Sequence, residues 1–140
     1  MIALDTNVIS EITRDEPAPA VVRWLSALSE NEIFIPAVVV AELLAGLELM
    51  PRGKRRDALV GLVLGYIGSV APENVINFGY LEAEQYARIL AARTKLGRPI
   101  SIADAQVAAS AAARNLPVAT RNVRDFEGCG VKVVNPWEHA

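Results

Sequence analysis

Three acidic side chains stand in stretches where a charge is out of place. Asp5 follows the apolar run Met1-Ile2-Ala3-Leu4 and is followed by Thr6 and Asn7. Glu42 lies between Val38-Val39-Val40-Ala41 and Leu43-Leu44, and Asp104 lies within Ile102-Ala103-Asp104-Ala105-Gln106-Val107. The other acids, among them Asp15, Glu16, Glu30, Asp57, Glu82 and Glu84, fall in stretches that read as turns or solvated helix faces. A buried carboxylate without a partner is costly, and three that met would repel one another. No cluster of lysine and arginine in those stretches neutralises them. A hard divalent cation, Mg2+ or Mn2+, does so with oxygen ligands. Such an ion binds phosphate, lowers the pKa of its water and stabilises charge on a leaving oxygen. Thr120, Asn122 and Asp125 are candidates for a fourth contribution, since the apolar run Val118-Ala119 delivers them to the sheet edge that Asp5 occupies.

Each acid also has a purely structural reading. Asp5, Thr6 and Asn7 are good caps for a following helix. Ser101-Ile102-Ala103-Asp104 fits a capping box. Glu42 could pair with an arginine from elsewhere in the chain. The chemical reading rests on the conjunction of separate stretches.

Composition narrows the alternatives. Cys129 and His139 are the only cysteine and histidine. Zinc sites built from those residues, a Ser-His-Asp triad and an internal disulfide are therefore excluded, and the cysteine usage suits a reducing cytoplasm. With 52% hydrophobic and 21% charged residues, the 140-residue chain reads as one folded domain, residues 1–140, with a real core. A formal net charge of −2 does not suit a protein that coats nucleic acid by charge alone. The longest uncharged stretch, Ala58 to Pro72, is short for a bilayer span and holds three glycines. The first residues lack the basic start of a signal peptide.

The elements that must position the acids follow from apolar periodicity. Ile2–Leu4 reads as a buried strand, capped by Thr6 or Asn7 into a short helix from Val8. Pro17 and Pro19 interrupt it, and a second helix begins near Ala20. Glu32–Ile35 is a strand. Pro36 fits the first position of a helix that runs to about Met50, with Val38, Ala41, Glu42, Ala45 and Leu49 on one face. Pro51 to Arg56 reads as a basic turn, solvated or in contact with RNA or a partner. Ala58 to Val70 is apolar nearly all round, which marks core or an oligomer interface. Val75–Phe78 is a third strand. Tyr80–Leu96 is a helix with Leu81, Tyr86, Ile89 and Leu90 inward. Ser101 caps an alanine-rich helix to Asn115. Leu116–Ala119 and Val131–Val134 are the last strands, with a short helix from Arg124 to Gly128 between them. Strands alternating with helices imply βαβ units and a mostly parallel sheet.

The order of motifs resembles a known family. Ile2-Ala3-Leu4-Asp5-Thr6-Asn7-Val8-Ile9-Ser10-Glu11, Ala41-Glu42-Leu43 with Gly46, Ile102-Ala103-Asp104, Ala119-Thr120-Arg121-Asn122 and Val134-Asn135-Pro136-Trp137 are similar to the PIN-domain ribonucleases, in particular the VapC-type toxins of the FitB-like branch. The resemblance implies a PIN-like three-layer α/β/α fold with a five-stranded, mostly parallel sheet. It implies a Mg2+- or Mn2+-dependent endoribonuclease that hydrolyses RNA phosphodiester bonds, serving as the toxin of a toxin-antitoxin pair in the cytoplasm. By motif, Asp5, Glu42 and Asp104 carry over as acidic ligands and catalytic residues, supported by Thr6 and Thr120. Many relatives carry a fourth acid where this chain has Asn122, and Asp125 is the residue placed to substitute. A homodimer and a cognate antitoxin are also implied, with candidate surfaces around Leu43, Leu44 and Leu47 and on the Ala58–Val70 helix. Two other readings are a PIN-fold binding module with a weakened site, and a magnesium-binding receiver-like domain. The latter wants a lysine after a late strand, where Lys132 is the only one near.

Overall fold

In the computed structural model, which describes residues 1–139, five parallel strands form one sheet in the order β3-β2-β1-β4-β5. In chain order the elements are β1 (Ile2–Leu4), α1 (Thr6–Ile12), α2 (Pro19–Ser26), β2 (Ile33–Pro36), α3 (Ala37–Leu49) and α4 (Lys54–Ser69), followed by β3 (Val75–Ile76), α5 (Tyr80–Lys95), α6 (Ile102–Ala113), β4 (Val118–Ala119), α7 (Val123–Phe126) and β5 (Val133–Val134). A 3-10 turn at Pro136–Glu138 ends them. The βαβ expectation holds, and the sheet is wholly parallel among the described residues. No helix among them is long and apolar enough to cross a membrane.

The first strand is central because both neighbours pair with it. Ile2 and Ala3 lie opposite Ile33 and Phe34 of β2, while Ala3 and Leu4 lie opposite Val118 and Ala119 of β4. The ladder continues one step past β1, with the Asp5 N–H donating to the Ala119 carbonyl at 2.9 Å. The carboxyl ends of β1 and β4 are thereby held side by side, and ligands of open α/β sheets collect beyond such ends.

Several boundaries differ from the sequence reading. Pro36 is the last residue of β2, with φ −59° and ψ 138°, and the helix starts at Ala37. Its fixed φ suits extended backbone as well as a first helical turn, and its ring is buried. Lys54, Arg55 and Arg56 form the first turn of α4 rather than a loop. The last three strands are shorter than their apolar runs, because Leu116 and Val131 belong to the approaches and Phe78 to the exit.

The buried stripe of α3 is Val39, Leu43 and Leu47, not the face containing Val38, Ala41, Glu42, Ala45 and Leu49. The helix is apolar on almost every side, so periodicity alone offers more than one stripe. Contacts with α1, α4 and α6 select the one that is buried. Leu43 and Leu47 are therefore core residues and not a partner surface, while Leu44 is exposed. On α5, Leu81 and Leu90 point outward, and Ile89 and Arg93 are the buried pair. On α4 only Val63 is buried, leaving Leu62 and Leu64 about half exposed.

The alanine-rich α6 is the tightest element. Ala105, Ala108, Ala109 and Ala111 are wholly buried, and α5 and α3 pack against the helix. Small side chains let these helices approach closely, and interiors have no room for added methylenes. Ala108→Leu is expected to cost about 1–3 kcal/mol through overpacking, measured by urea denaturation. A stability equal to the parent would show that α6 has slack.

Candidate active site

Asp5 ends β1 and serves as the N-cap of α1, its Oδ1 accepting the Thr6 N–H at 2.8 Å. Its Oδ2 accepts the Thr120 hydroxyl at 2.8 Å and the Asn7 side-chain amide at 3.3 Å. Thr120 follows β4 and is wholly buried; its Oγ1 in turn accepts the Asn122 N–H and the Asn7 amide. The capping reading of Asp5 is thus correct, although the cap residue is Asp5 itself and not Thr6 or Asn7. A cap needs only one carboxylate oxygen. The other is held by the neighbouring strand.

Glu42 reaches the same place from α3. The Thr6 hydroxyl donates to its Oε1 at 2.8 Å. Glu42 is exposed, so its charge is in water and the expectation that it is embedded in an apolar face is corrected. Asp104 stands in the first turn of α6, half-buried. Its N–H donates to Ser101 Oγ at 3.1 Å, which is the cap half of a capping box.

Asp5 feels the charges of both other acids, each as a small contribution beside burial. Burial pushes the Asp5 carboxyl up from 3.8 to about 6. The Thr120 and Thr6 hydrogen bonds work against that rise, and the charges of Asp104 and Glu42 add to it. Asp104 is also raised, by burial first; the Ser101 hydroxyl opposes this, the Asp125 charge adds to it and Arg93 opposes it. None of Asp5, Glu42 or Asp104 forms an ion pair with lysine or arginine among the described residues. As the side chains stand, no three acids, cysteines or histidines among those residues converge on one ion position. The donor chemistry nevertheless fits a hard divalent cation: an all-oxygen set of three carboxylates, none in an ion pair among the described residues, one rigid and one exposed enough to turn.

Asp125, on α7, is exposed and near enough to Asp104 to raise it. The Asn122 side chain is exposed, and its backbone N–H serves the Thr120 hydroxyl. Lys132 precedes β5, at the opposite end of the strand from Thr120, and its carbonyl accepts from Val118 N–H. The lysine that a receiver-like site requires is therefore missing from this sheet edge.

Two supporting residues escape a reading of the sequence. Arg93 is buried, yet its guanidinium meets backbone: Nε donates to the Arg98 carbonyl at 2.7 Å and Nη1 to the Asp125 carbonyl at 2.6 Å. Nη2 reaches the Pro99 carbonyl at 3.5 Å. It ties the loop that leads into α6 to α7, beside Asp104. Gly128 packs beside it, with φ +77° and a would-be Cβ only 3.0 Å from Leu96 Cδ1. The signal was the four-residue spacing of Ile89 and Arg93 on α5. Glu11 is also buried; it accepts the Ala18 N–H at 2.9 Å and pairs with Arg14 at 3.2 Å. Those bonds, the Ala18 N–H above all, hold its carboxyl below the usual range.

A PIN domain family model matches residues 2–128. The chain belongs to the PIN domain family. This PIN-domain protein is 39% identical, over the whole of both chains, to the VapC ribonuclease Y4jK of Sinorhizobium fredii. It is 37% identical to the toxin FitB of Neisseria gonorrhoeae, with 98% of this chain and 99% of that one covered. Its structure is similar to that of FitAB bound to an IR36 DNA fragment, with a TM-score of 0.93 and 35% identity over 100% of this chain and 98% of the other. The motif resemblance and the α/β fold class are both confirmed.

The raised Asp5 sets a signed expectation. A carboxyl whose folded pKa exceeds its unfolded value adds stability below the unfolded value, and that stability is lost as pH rises through the folded one. The window is therefore pH 3.8 to about 6, and the loss is about 3 kcal/mol. Without divalent ions, Asp5→Asn should gain in melting temperature relative to the parent between pH 4 and pH 8. Thermal melts in EDTA read it, and a parent that gains on the variant over that range would refute a destabilising charge.

Proposed function

We propose that this PIN-domain protein is a Mg2+- or Mn2+-dependent endoribonuclease that acts as the toxin of a toxin-antitoxin pair. The observation that supports the reading is that Thr6 binds both Asp5 and Glu42 at the carboxyl end of β1, where the Asp104 charge also reaches Asp5 and none of the three acids forms an ion pair among the described residues. The names of the relatives, a VapC ribonuclease and a toxin, support the same substrate class and role.

Asp5, Glu42 and Asp104 would hold the ion, with Asp125 facing Asp104 as a further oxygen donor and Asn122 near it on the same loop. When bound, a divalent ion supplies positive charge to the scissile phosphate and acidifies water at neutral pH. Asp5 contributes rigidity, because both its oxygens are held by groups from α1 and β4. Thr6 orients Glu42 through its hydroxyl, and Thr120 orients Asp5, as outer hydrogen bonds do for metal ligands. Glu42 and Asp104 are the more accessible acids and accommodate the arriving phosphodiester. Three negative charges with no ion would repel RNA, so the metal is what makes an acidic hollow compatible with an anionic substrate.

A cognate antitoxin and a second copy of the chain are the protein partners in this reading. Leu44 on α3 and Leu62 and Leu64 on α4 leave apolar surface uncovered. A hollow of about 430 Å³ adjoins α4, lined by Val22, Leu25 and Tyr66 among others. The Tyr66 hydroxyl is buried there without a hydrogen-bond partner among the described residues, and burial raises it to about 12.

Manganese should raise the melting temperature of the parent and hardly that of the Asp5→Asn, Asp104→Asn double variant. Each single variant should cut RNA at least about 100-fold more slowly than the parent. Equal manganese shifts in parent and double variant would remove the metal site. Undiminished cleavage by the double variant would remove the nuclease.

A further inference from the structure

The motif residues Arg121, Asn135 and Trp137 take no part in the acidic cluster, yet the fold brings them together. Arg121 follows Thr120, and its N–H donates to the Asn7 side-chain oxygen at 3.3 Å. Asn7 is the residue whose amide contacts both Asp5 and Thr120. The Arg121 guanidinium lies over the Trp137 ring, 5.3 Å from its centroid. Trp137 is held in turn: its backbone N–H donates to Asn135 Oδ1 at 3.0 Å. Arg121 itself is exposed and forms no ion pair among the described residues. It lines a hollow of about 410 Å³ together with Asn122, Arg124, Asp125, Asn135 and Glu138. Two arginines and two asparagines share this recess with the carboxylates of Asp125 and Glu138, and Arg121 and Asn122 connect it to Thr120.

We propose that Arg121, stacked on Trp137, is a substrate-binding residue that grips a backbone phosphate of the RNA strand next to the one being cut. This rests on the nuclease reading above and adds the path of the strand: across the acidic edge and into the recess between α7 and the chain end. A guanidinium placed over an indole is already partly ordered, so less side-chain entropy is lost when a phosphate arrives. The rim cation also offsets the repulsion of the acids.

The test uses the full chain with manganese and a fluorescein-labelled single-stranded oligoribonucleotide of mixed sequence. Arg121→Ala should raise KM about tenfold with kcat changed far less, as expected for a contact made equally in ground and transition states. The slope of log KM against log salt should fall by about 0.7, the value of one phosphate contact on a single strand. Manganese should still raise the variant's melting temperature as it does the parent's. Arg121→Lys keeps the charge but not the flat stacked fork, so it should recover the salt slope and only part of the KM. An unchanged KM and salt slope in Arg121→Ala, with the parent active, overturns the phosphate grip and leaves the nuclease standing. A fall in kcat alone, or a lost manganese shift, assigns Arg121 to shaping the acidic cluster and also overturns it. If the parent neither binds nor cuts the oligonucleotide, both readings fall.

Discussion

The structure depends on one desolvated carboxylate held from two directions. Asp5 closes the first turn of α1 with one oxygen and ties to the end of β4 with the other. The two strands are adjacent because Ala3 and Leu4 pair with Val118 and Ala119, and the ladder runs on to Asp5 itself. Parallel pairing therefore does more than build the sheet. It sets residues 5 and 120 against each other across 115 positions of sequence, and leaves the hydroxyl of Thr120 only one acid to serve. Removing water from a carboxylate is unfavourable, and here the hydrogen bonds only partly compensate. Perturbed acids of this kind mark functional sites more often than structural ones.

Around that rigid centre the other acids are graded in freedom. Asp104 is half-buried on the most tightly packed helix, and Glu42 is exposed on the outer side of α3. This gradation suits the proposed function, in which the site would hold an ion and admit a polymer. The fixed acid defines the position, and the looser ones adjust to what arrives. Thr6 links the extremes, giving its N–H to Asp5 and its hydroxyl to Glu42.

Much of this was legible because the signals were local. The apolar run ending in Asp5-Thr6-Asn7 marked strand, turn and cap together, and Ser101 marked the start of α6. The family motifs matched five separate stretches in order, which composition alone could not do. The misreadings share a cause. In α3 the apolar residues cover nearly the whole surface, so the stripe facing the sheet is chosen by neighbouring elements and not by period. On α5 the apolar residues suggested an inner face through Leu81 and Leu90, whereas Ile89 and an arginine took the inner positions. A buried arginine is invisible to hydrophobic patterning, since its partners are carbonyls contributed by distant loops. Glu11 was hidden by the same limitation: its carboxylate looks solvated until α2 places the Ala18 N–H against it.

Arg93 grips main chain rather than side chains, taking carbonyls from residues 98, 99 and 125. Every amino acid has a carbonyl, so those three positions can change identity without letting the tether go. The rim formed by the 97–100 loop and α7 is thus free to diversify while the frame beneath it stays put. A scaffold wired in this way can explore new rims for its acidic edge at small risk to the residues beneath it.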